Sequence, residues 1–163
     1  KVEAAFSRPV ITAVLLFVTA IMLMLAEIFS RKERSLESIS LLDAVVMGFF
    51  QLLAIFPGIS RSGATISGGL SRGLKREAAA KFSFLMSIPI MLAAGLLSVL
   101  DLVKVPDVGS FLPVLSVGFF AALGIGYLSI RWLLGFLKTR SLIPFAVYCA
   151  VVSVLTVFIA YFR

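Results

Sequence analysis

Four long apolar runs, separated by short polar loops, constrain this sequence more than any other feature. They cover residues 10–28, 82–100, 111–130 and 142–161. Each has about the twenty residues that an α-helix needs to cross the hydrocarbon core of a bilayer. Of the 163 residues, 61% are hydrophobic and 14% are charged, which is more apolar surface than a soluble domain of this size can bury. The sequence therefore predicts an all-α integral membrane protein, folded as one multi-pass helix bundle over residues 1–163.

The stretch from residue 41 to residue 74 follows a different pattern. An almost wholly apolar run, 41–56, is followed by a polar break from Pro57 to Thr65 and then by a run of small residues, 66–70. Proline has no N–H group to donate and clashes with the preceding turn, so Pro57 is expected to end the first helix. Two short helices on either side of a polar break predict a re-entrant helical hairpin over 41–74, buried within protein at membrane depth.

The basic residues favour this topology. The net charge is +7, which in a soluble protein would indicate a nucleic-acid partner, but the lysines and arginines cluster in the loops between the apolar runs. If 41–74 is re-entrant, three loops with ten basic residues fall on one side, as the positive-inside rule predicts for the cytoplasm. These residues are Arg31, Lys32, Arg34, Arg72, Lys75, Arg76, Lys81, Arg131, Lys138 and Arg140. A full crossing by 41–74 would divide these loops between the two sides.

The same topology places the remaining charged loop and both ends of the chain outside the cytoplasm. The residues assigned to that side are Lys1, Arg8, Asp101, Lys104, Asp107 and Arg163. Because membrane orientation accounts for most of the basic residues, no nucleic-acid partner is expected.

Arg61, in the polar break, is the residue that most needs an explanation. A guanidinium at membrane depth costs at least ~2.5 kcal/mol, so it normally pairs or serves a function. Ser60 or Ser62 fits the N-cap of the second short helix, and a helix N-terminus favours anions. With these hydroxyls and that of Thr65, the donors of Arg61 match the oxygens of a phosphate group, which predicts a phosphate cradle for phosphoryl transfer. The alternative is that Arg61 pairs with a carboxylate such as Asp43, while the hydroxyls satisfy helix ends.

At these residues the chain resembles the undecaprenyl-pyrophosphate phosphatase family, also called UppP or BacA and linked to bacitracin resistance. The resemblance is carried by three stretches: Pro57-Gly58-Ile59-Ser60-Arg61-Ser62-Gly63-Ala64-Thr65-Ile66-Ser67-Gly68-Gly69; Phe82-Ser83-Phe84-Leu85 with Ile88-Pro89; and Ile143-Pro144-Phe145-Ala146 with Tyr148. It covers nearly the whole chain and identifies it as the C-terminal part of such a protein.

The resemblance implies the second half of an inverted-repeat fold, whose two re-entrant hairpins meet at an active site open to the extracytoplasmic side of the bacterial plasma membrane. The implied activity is hydrolysis of undecaprenyl diphosphate, a polyprenyl lipid carrier, to the monophosphate and inorganic phosphate for peptidoglycan and other cell-envelope synthesis. The implied catalytic residues are Arg61, Ser60 and Thr65. The implied diphosphate-binding residues are Ser60, Arg61, Ser62, Thr65 and Gly58, with Pro57 and Gly63 shaping the loop.

One departure from the family is large. An earlier motif, Glu-Gly-x-Thr-Glu-Phe-x-Pro-Val-Ser-Ser-x-Gly-His, has no counterpart here, and Phe50 and Ala54 stand where the first repeat would carry its two glutamates. The simplest account is that about four membrane elements precede this chain, with 10–28 as the last helix of the first repeat. The resemblance also implies a divalent cation, Mg²⁺ or Ca²⁺, whose ligands lie outside this chain. Its expected partners are therefore the N-terminal half of the same protein, membrane lipids and a possible second copy, and the chain alone is expected to be inactive.

Two other functions can be compared with this one. A PAP2-type lipid phosphatase needs a histidine nucleophile and a second histidine as acid and base, and the chain has no histidine. A polyprenyl-phosphate flippase or transporter would use the same anion-binding hairpin, because broken helices that meet at the midplane are typical of transporters. The product separates hydrolysis from transport. The sequence leaves open whether a side chain or an activated water attacks phosphorus, and which polyprenyl length is preferred.

Overall fold

The computed structural model describes residues 9–102, 104 and 108–162, and these residues form α-helices, one short 3-10 helix and no β-strand. The helices are α1 (Pro9–Phe29), α2 (Leu41–Leu53), α3 (Arg61–Ser71), α4 (Arg76–Leu102), α5 (Val108–Thr139) and α6 (Ile143–Tyr161), with the 3-10 turn at Leu36–Ser38. The prediction of an all-α fold is confirmed for this part of the chain.

Four of these helices are long and apolar enough to cross a membrane: α1, α4, the Phe111–Thr139 part of α5, and α6. The predicted apolar runs lie along these helices, but α4 begins at Arg76 and α5 continues to Thr139, well beyond the runs. The apolar run marks the part of a helix that hydrocarbon can cover, whereas charged residues at the ends remain helical in the interfacial region. The chain is therefore a multi-pass membrane protein.

The two short helices pack against each other as a hairpin, and α3 also contacts α1 and α4. A Cβ atom added at Gly69 would lie 2.8 Å from the Cβ of Ala79 and 3.1 Å from the Cε of Met47, so the small residue lets three helices approach closely. Met47, Leu70 and Ala79 are fully buried in the resulting core. The central position of α3 thus follows from its small residues.

The hairpin base, which consists of Arg34, Asp43 and Arg72, joins the start of α2 to the end of α3. Ser40 and Asp43 form a capping box, which begins α2. The Asp43 carboxylate has no solvent exposure and accepts hydrogen bonds from Arg34 (2.6 and 3.0 Å) and from Nε of Arg72 (2.8 Å). The backbone N–H groups of Glu33 and Arg34 both donate to the carbonyl of Gly73 at 3.0 Å. The start of α2 and the end of α3 therefore lie side by side.

Two glutamates bring the three basic loops together at one end of the molecule. Glu27, at the end of α1, pairs with Arg76 and accepts a hydrogen bond from the N–H of Leu142 at 3.3 Å. Glu77 pairs with Lys81 at 2.8 Å and with Lys138 of α5 at 3.7 Å. We call this the basic end, and its contacts agree with the grouping of loops expected for a re-entrant 41–74.

The side of the membrane that the basic end faces stays a prediction, as do the re-entrant position of the hairpin and the single-domain division. Of the residues assigned to the opposite side, Asp101 and Lys104 form an exposed ion pair at 2.7 Å. Lys1, Arg8, Asp107 and Arg163 lie outside the described residues.

Candidate functional site

The turn between α2 and α3 rests on the backbone of α1. Gly58 has φ +102°, a left-handed conformation that side chains rarely adopt. A Cβ atom there would lie 2.1 Å from the carbonyl oxygen of Thr12, so α1 leaves no space for one. Helix α2 ends at Leu53, and after three further residues Pro57 precedes Gly58. Gly58, predicted to bind diphosphate, is thus placed where it shapes the turn.

Ser60 is the N-cap of α3, which decides between the two serines considered from the sequence. Its Oγ accepts a hydrogen bond from the N–H of Gly63 at 3.2 Å, and its own N–H donates to Oγ1 of Thr19 at 3.1 Å. Thr19 is fully buried in α1, and its hydroxyl donates to the carbonyl of Leu15 at 3.3 Å. Thr19 was not among the predicted site residues, although a threonine inside an apolar run indicates a polar contact.

Gly63 lies at a close contact between α3 and α1. A Cβ atom there would lie 3.0 Å from Cγ2 of Thr19 and 3.1 Å from the Cβ of Ser60. The predicted loop-shaping role of Gly63 thus corresponds to a position where the first turn of α3 packs against α1.

Arg61 and Ser62 are exposed on the first turn of α3, where they line an open cleft of about 510 Å³. The other lining residues come from the turn and from α4 and α5: Ala54, Ile59, Ser83, Phe84, Ser87, Met91 and Ile130. Within the described residues, the Arg61 guanidinium makes no hydrogen bond and no ion pair. Asp43 is held by two other arginines at the hairpin base, at the opposite end of α3. The alternative that Arg61 pairs with Asp43 is therefore wrong.

The cleft has the electrostatics of an anion site. No carboxylate of the described residues lines it, and the positive end of the α3 dipole points towards it. Backbone N–H groups of Arg61 and Ser62 have no hydrogen-bond acceptor in the described part of the chain, as expected for the first positions of a helix. A guanidinium, a hydroxyl and two N–H donors are thus directed to one region, a donor set that suits phosphate oxygens.

Thr65, the remaining predicted site residue, does not lie on the cleft wall. It is 1% exposed, one turn into α3. Its Oγ1 lies 3.0 Å from the carbonyl oxygen of Arg61 and forms a short hydrogen bond with Oγ of Ser83 on α4. The structure thus brings Ser60, Arg61 and Ser62 together at the turn and directs the Thr65 hydroxyl towards α4.

These residues do not fit a divalent cation by themselves. Mg²⁺ and Ca²⁺ prefer carboxylate oxygens, whereas the cleft presents Arg61 and serine hydroxyls. Among the described residues, no group of three or more His, Cys, Asp or Glu could hold a metal ion. Ala54, predicted to replace a glutamate of the first repeat, is itself on the cleft wall. Any cation at this cleft would need ligands from outside the described chain.

Comparison with known proteins agrees with the resemblance that the motif indicates. The sequence model of the bacitracin resistance protein BacA family matches residues 1–155. The chain belongs to the BacA family. Relatives of this BacA chain named undecaprenyl-diphosphatase include one from Synechococcus elongatus, 44% identical over 83% of the chain and 47% of the relative. One from Methanosphaera stadtmanae is 39% identical over 98% of the chain and 56% of the relative. One from Corynebacterium glutamicum is 45% identical over 85% of the chain and 47% of the relative.

The BacA resemblance predicted from the sequence is confirmed, and the comparisons give the flippase or transporter alternative no support. The chain spans about half the length of the curated relatives it matches. Its place as the C-terminal half of an inverted repeat stays a prediction.

Proposed function

We propose that the whole protein containing this BacA chain is an undecaprenyl-diphosphate phosphatase. It hydrolyses the lipid carrier to undecaprenyl phosphate and inorganic phosphate, which returns the carrier to cell-envelope synthesis. The names of relatives that are 39–45% identical support this substrate. The observation that carries the proposal is the exposed guanidinium of Arg61, which lies at a helix N-terminus and has no protein partner among the described residues.

In this proposal Arg61 holds non-bridging oxygens of the diphosphate with its fork of donors, and Ser62 adds its hydroxyl. Ser60 shapes the first turn of α3, so that the N–H groups of Arg61 and Ser62 remain available to the same oxygens. Phosphoryl transfer depends mostly on positioning and on stabilising the charge that develops on these oxygens. The described residues supply both effects but contain no acid or base at the cleft.

The walls of the cleft suit a lipid substrate. Phe84, Met91 and Ile130 line it next to Arg61, so a polar headgroup and an apolar tail can be held together. Helix α4, which carries Phe84 and Met91, has an apolar surface that is largely exposed beyond the cleft. A polyprenyl tail can therefore leave the cleft along surfaces that also contact membrane lipids.

The proposed sidedness follows from helix lengths and from the basic end. α2 has 13 residues and rises about 20 Å, less than the ~30 Å hydrocarbon core, so the hairpin turns back before it crosses. If the basic end faces the cytoplasm, the turn that carries Arg61 opens towards the extracytoplasmic side. The general base, and the carboxylates that would hold Mg²⁺ or Ca²⁺, come in this proposal from the part of the protein outside this chain.

Phosphate release from undecaprenyl or farnesyl diphosphate in detergent tests the proposal. We compare this chain alone with a completed protein, in which the chain is joined to the part of the Synechococcus elongatus relative that it does not match. Release by the completed protein only is the expected result. No release by a monodisperse completed protein would reject hydrolysis, and release by the chain alone would reject the need for a second half.

A further inference from the structure

Ser83, on α4, differs from the other serines of that helix. The hydroxyls of Ser87 and Ser98 donate to carbonyls of their own helix, those of Phe84 (2.7 Å) and Ala94 (3.0 Å). Ser83 is 4% exposed, lines the cleft, and directs its hydroxyl instead to Oγ1 of Thr65 on α3. This contact links the two helices that form the walls of the candidate site.

Two carbonyl acceptors lie close to the Thr65 hydroxyl. Its Oγ1 lies 3.0 Å from the carbonyl oxygen of Arg61 and 3.2 Å from that of Ser62, and carbonyl oxygens can only accept hydrogen bonds. The contact between Thr65 and Ser83 allows either hydroxyl to donate. We take Ser83 as the donor, because the Thr65 proton can then be donated to the backbone of the first turn.

The resulting chain of hydrogen bonds ends at the residues that face the cleft. It runs from Ser83 to Thr65 and on to the backbone carbonyls of Arg61 and Ser62, whose side chains are exposed. The first turn of a helix frays easily, and α3 has only 11 residues. A contact from α4 would hold this turn in one position relative to the opposite wall of the cleft.

We propose that Ser83 is a positioning residue for the diphosphate site, and that it acts through Thr65 on the placement of Arg61 and Ser62. The role of Ser83 in turnover rests on the proposed function. Its role in holding the first turn of α3 does not. Thr65 is assigned to positioning as well, because that side chain is 1% exposed and its hydroxyl contacts only Ser83 and the helix backbone among the described residues. Simple packing would be satisfied by an alanine at residue 83, whereas positioning requires the hydroxyl.

Kinetic constants of the completed protein test the role in turnover. Ser83→Ala and Thr65→Val each remove one hydroxyl with little change of volume, and each should lower kcat about tenfold because the phosphate donors are misplaced. KM should change less than kcat. The double variant should be no slower than Thr65→Val, because both substitutions break the same chain of hydrogen bonds. Thr65→Ser, which keeps the hydroxyl, should retain most of the activity.

Ser98→Ala is the matched control, because it removes an exposed hydroxyl from the same helix. It should leave kcat unchanged. Wild-type kcat in Ser83→Ala, or additive losses in the double variant, would overturn the proposal while leaving phosphatase activity intact.

Amide hydrogen exchange in this chain gives a second readout that needs no turnover. The N–H groups of Gly63 and Ala64 are hydrogen-bonded to Ser60 in the first turn of α3. Ser83→Ala should accelerate their exchange several-fold, and Ser98→Ala should not. If the completed wild-type protein releases no phosphate, this comparison still decides the positioning role: equal exchange rates in Ser83→Ala and wild type would overturn it.

Discussion

Arg61 is a cation that no described part of the chain neutralises, and this is the most informative feature at the scale of single residues. An arginine retained only for structure would be expected to pair, as Arg34 and Arg72 do with Asp43. Arg61 instead lies on the first turn of α3 and faces an open cleft. The proposed diphosphate ligand would supply the negative charge that Arg61 lacks among the described residues.

Arg61→Ala should therefore nearly abolish phosphate release by the completed protein. The expected loss of transition-state stabilisation is about 3 kcal/mol, the size measured when one preorganised donor is removed from an active site. Arg61→Lys should also be slow, because an ammonium group cannot reproduce the two parallel hydrogen bonds of a guanidinium. The measurement is kcat/KM for farnesyl diphosphate. Arg140→Ala, which removes an exposed arginine at the basic end, should retain activity, and wild-type turnover in Arg61→Ala would contradict the cradle.

Gly58→Ala should destabilise the chain by at least about 1 kcal/mol, because a positive φ and a Cβ atom close to the Thr12 carbonyl both oppose it. Thermal unfolding in detergent micelles measures this change. Gly95→Ala is the control: its added Cβ would lie within 4 Å of no heavy atom other than those of its chain neighbours and the adjoining helix backbone, so alanine should be neutral or stabilising in that helix. Equal stability of the two variants would show that the turn does not rest on α1.

The sequence predicted that Ser60 or Ser62 caps the second short helix, because helix caps belong to local patterns, but it left open whether Arg61 pairs with a carboxylate. It could not predict the contacts of Thr19 and Thr65, which depend on how α1 and α4 pack around α3. Thr65 belongs to the same motif as Arg61 and lies one turn further along the same helix, yet it is buried against Ser83 of α4 and does not line the cleft. A motif therefore identifies residues that act together without showing which of them touches a ligand.

At the scale of elements, the hairpin is closed by one carboxylate. The guanidinium of Arg34, helped by the Ser40 and Arg72 hydrogen bonds, holds the pKa of Asp43 well below its usual range, even though burial opposes this. The bounds 41–74 were predicted from the apolar and small-residue runs. The ionic closure was not, since Arg34 lies before the hairpin and was counted only as a loop charge.

Asp43→Asn should destabilise the chain by about 2 kcal/mol, because it removes charge-assisted hydrogen bonds from a buried position. Chemical or thermal unfolding in micelles at pH 7 is the measurement. Asp101→Asn breaks only an exposed pair with Lys104 and should have no measurable effect.

The Asp43 carboxylate also makes the stability of the folded chain depend on pH. Its pKa in the folded chain is lower than the unfolded value of about 3.9. Its contribution to folding stability is therefore complete above that pH and is lost as the pH falls further. Wild-type stability should therefore exceed that of Asp43→Asn by a constant amount between pH 7 and 5, and the difference should shrink below about pH 4. A difference that changes between pH 7 and 5 would contradict this assignment.

At the scale of the whole molecule, the sequence predicted the membrane class, the helix content and the family, because these depend on composition and on a long motif. It could not show which helix faces are covered. In the most apolar stretch of α5 no residue is buried within the described structure, although the helix contacts α4. Surfaces of this kind are covered by lipid or by further protein, and the curated relatives, which are about twice as long as this chain, have both available.

The arrangement of the three basic loops leads to a prediction for the intact membrane. Of the residues between Arg31 and Lys75, only those of the hairpin are apolar enough to enter the membrane. These two exposed residues therefore share a side if the hairpin is re-entrant, and lie on opposite sides if it crosses once. Single cysteines at Arg31, Lys75 and Lys104, introduced into a Cys149→Ala background, can be labelled with an impermeant maleimide in spheroplasts and in inverted vesicles. Arg31→Cys and Lys75→Cys should react only in inverted vesicles, and Lys104→Cys only in spheroplasts. Opposite labelling of the first two would replace the re-entrant hairpin by a full crossing and would separate loops that Glu27 joins.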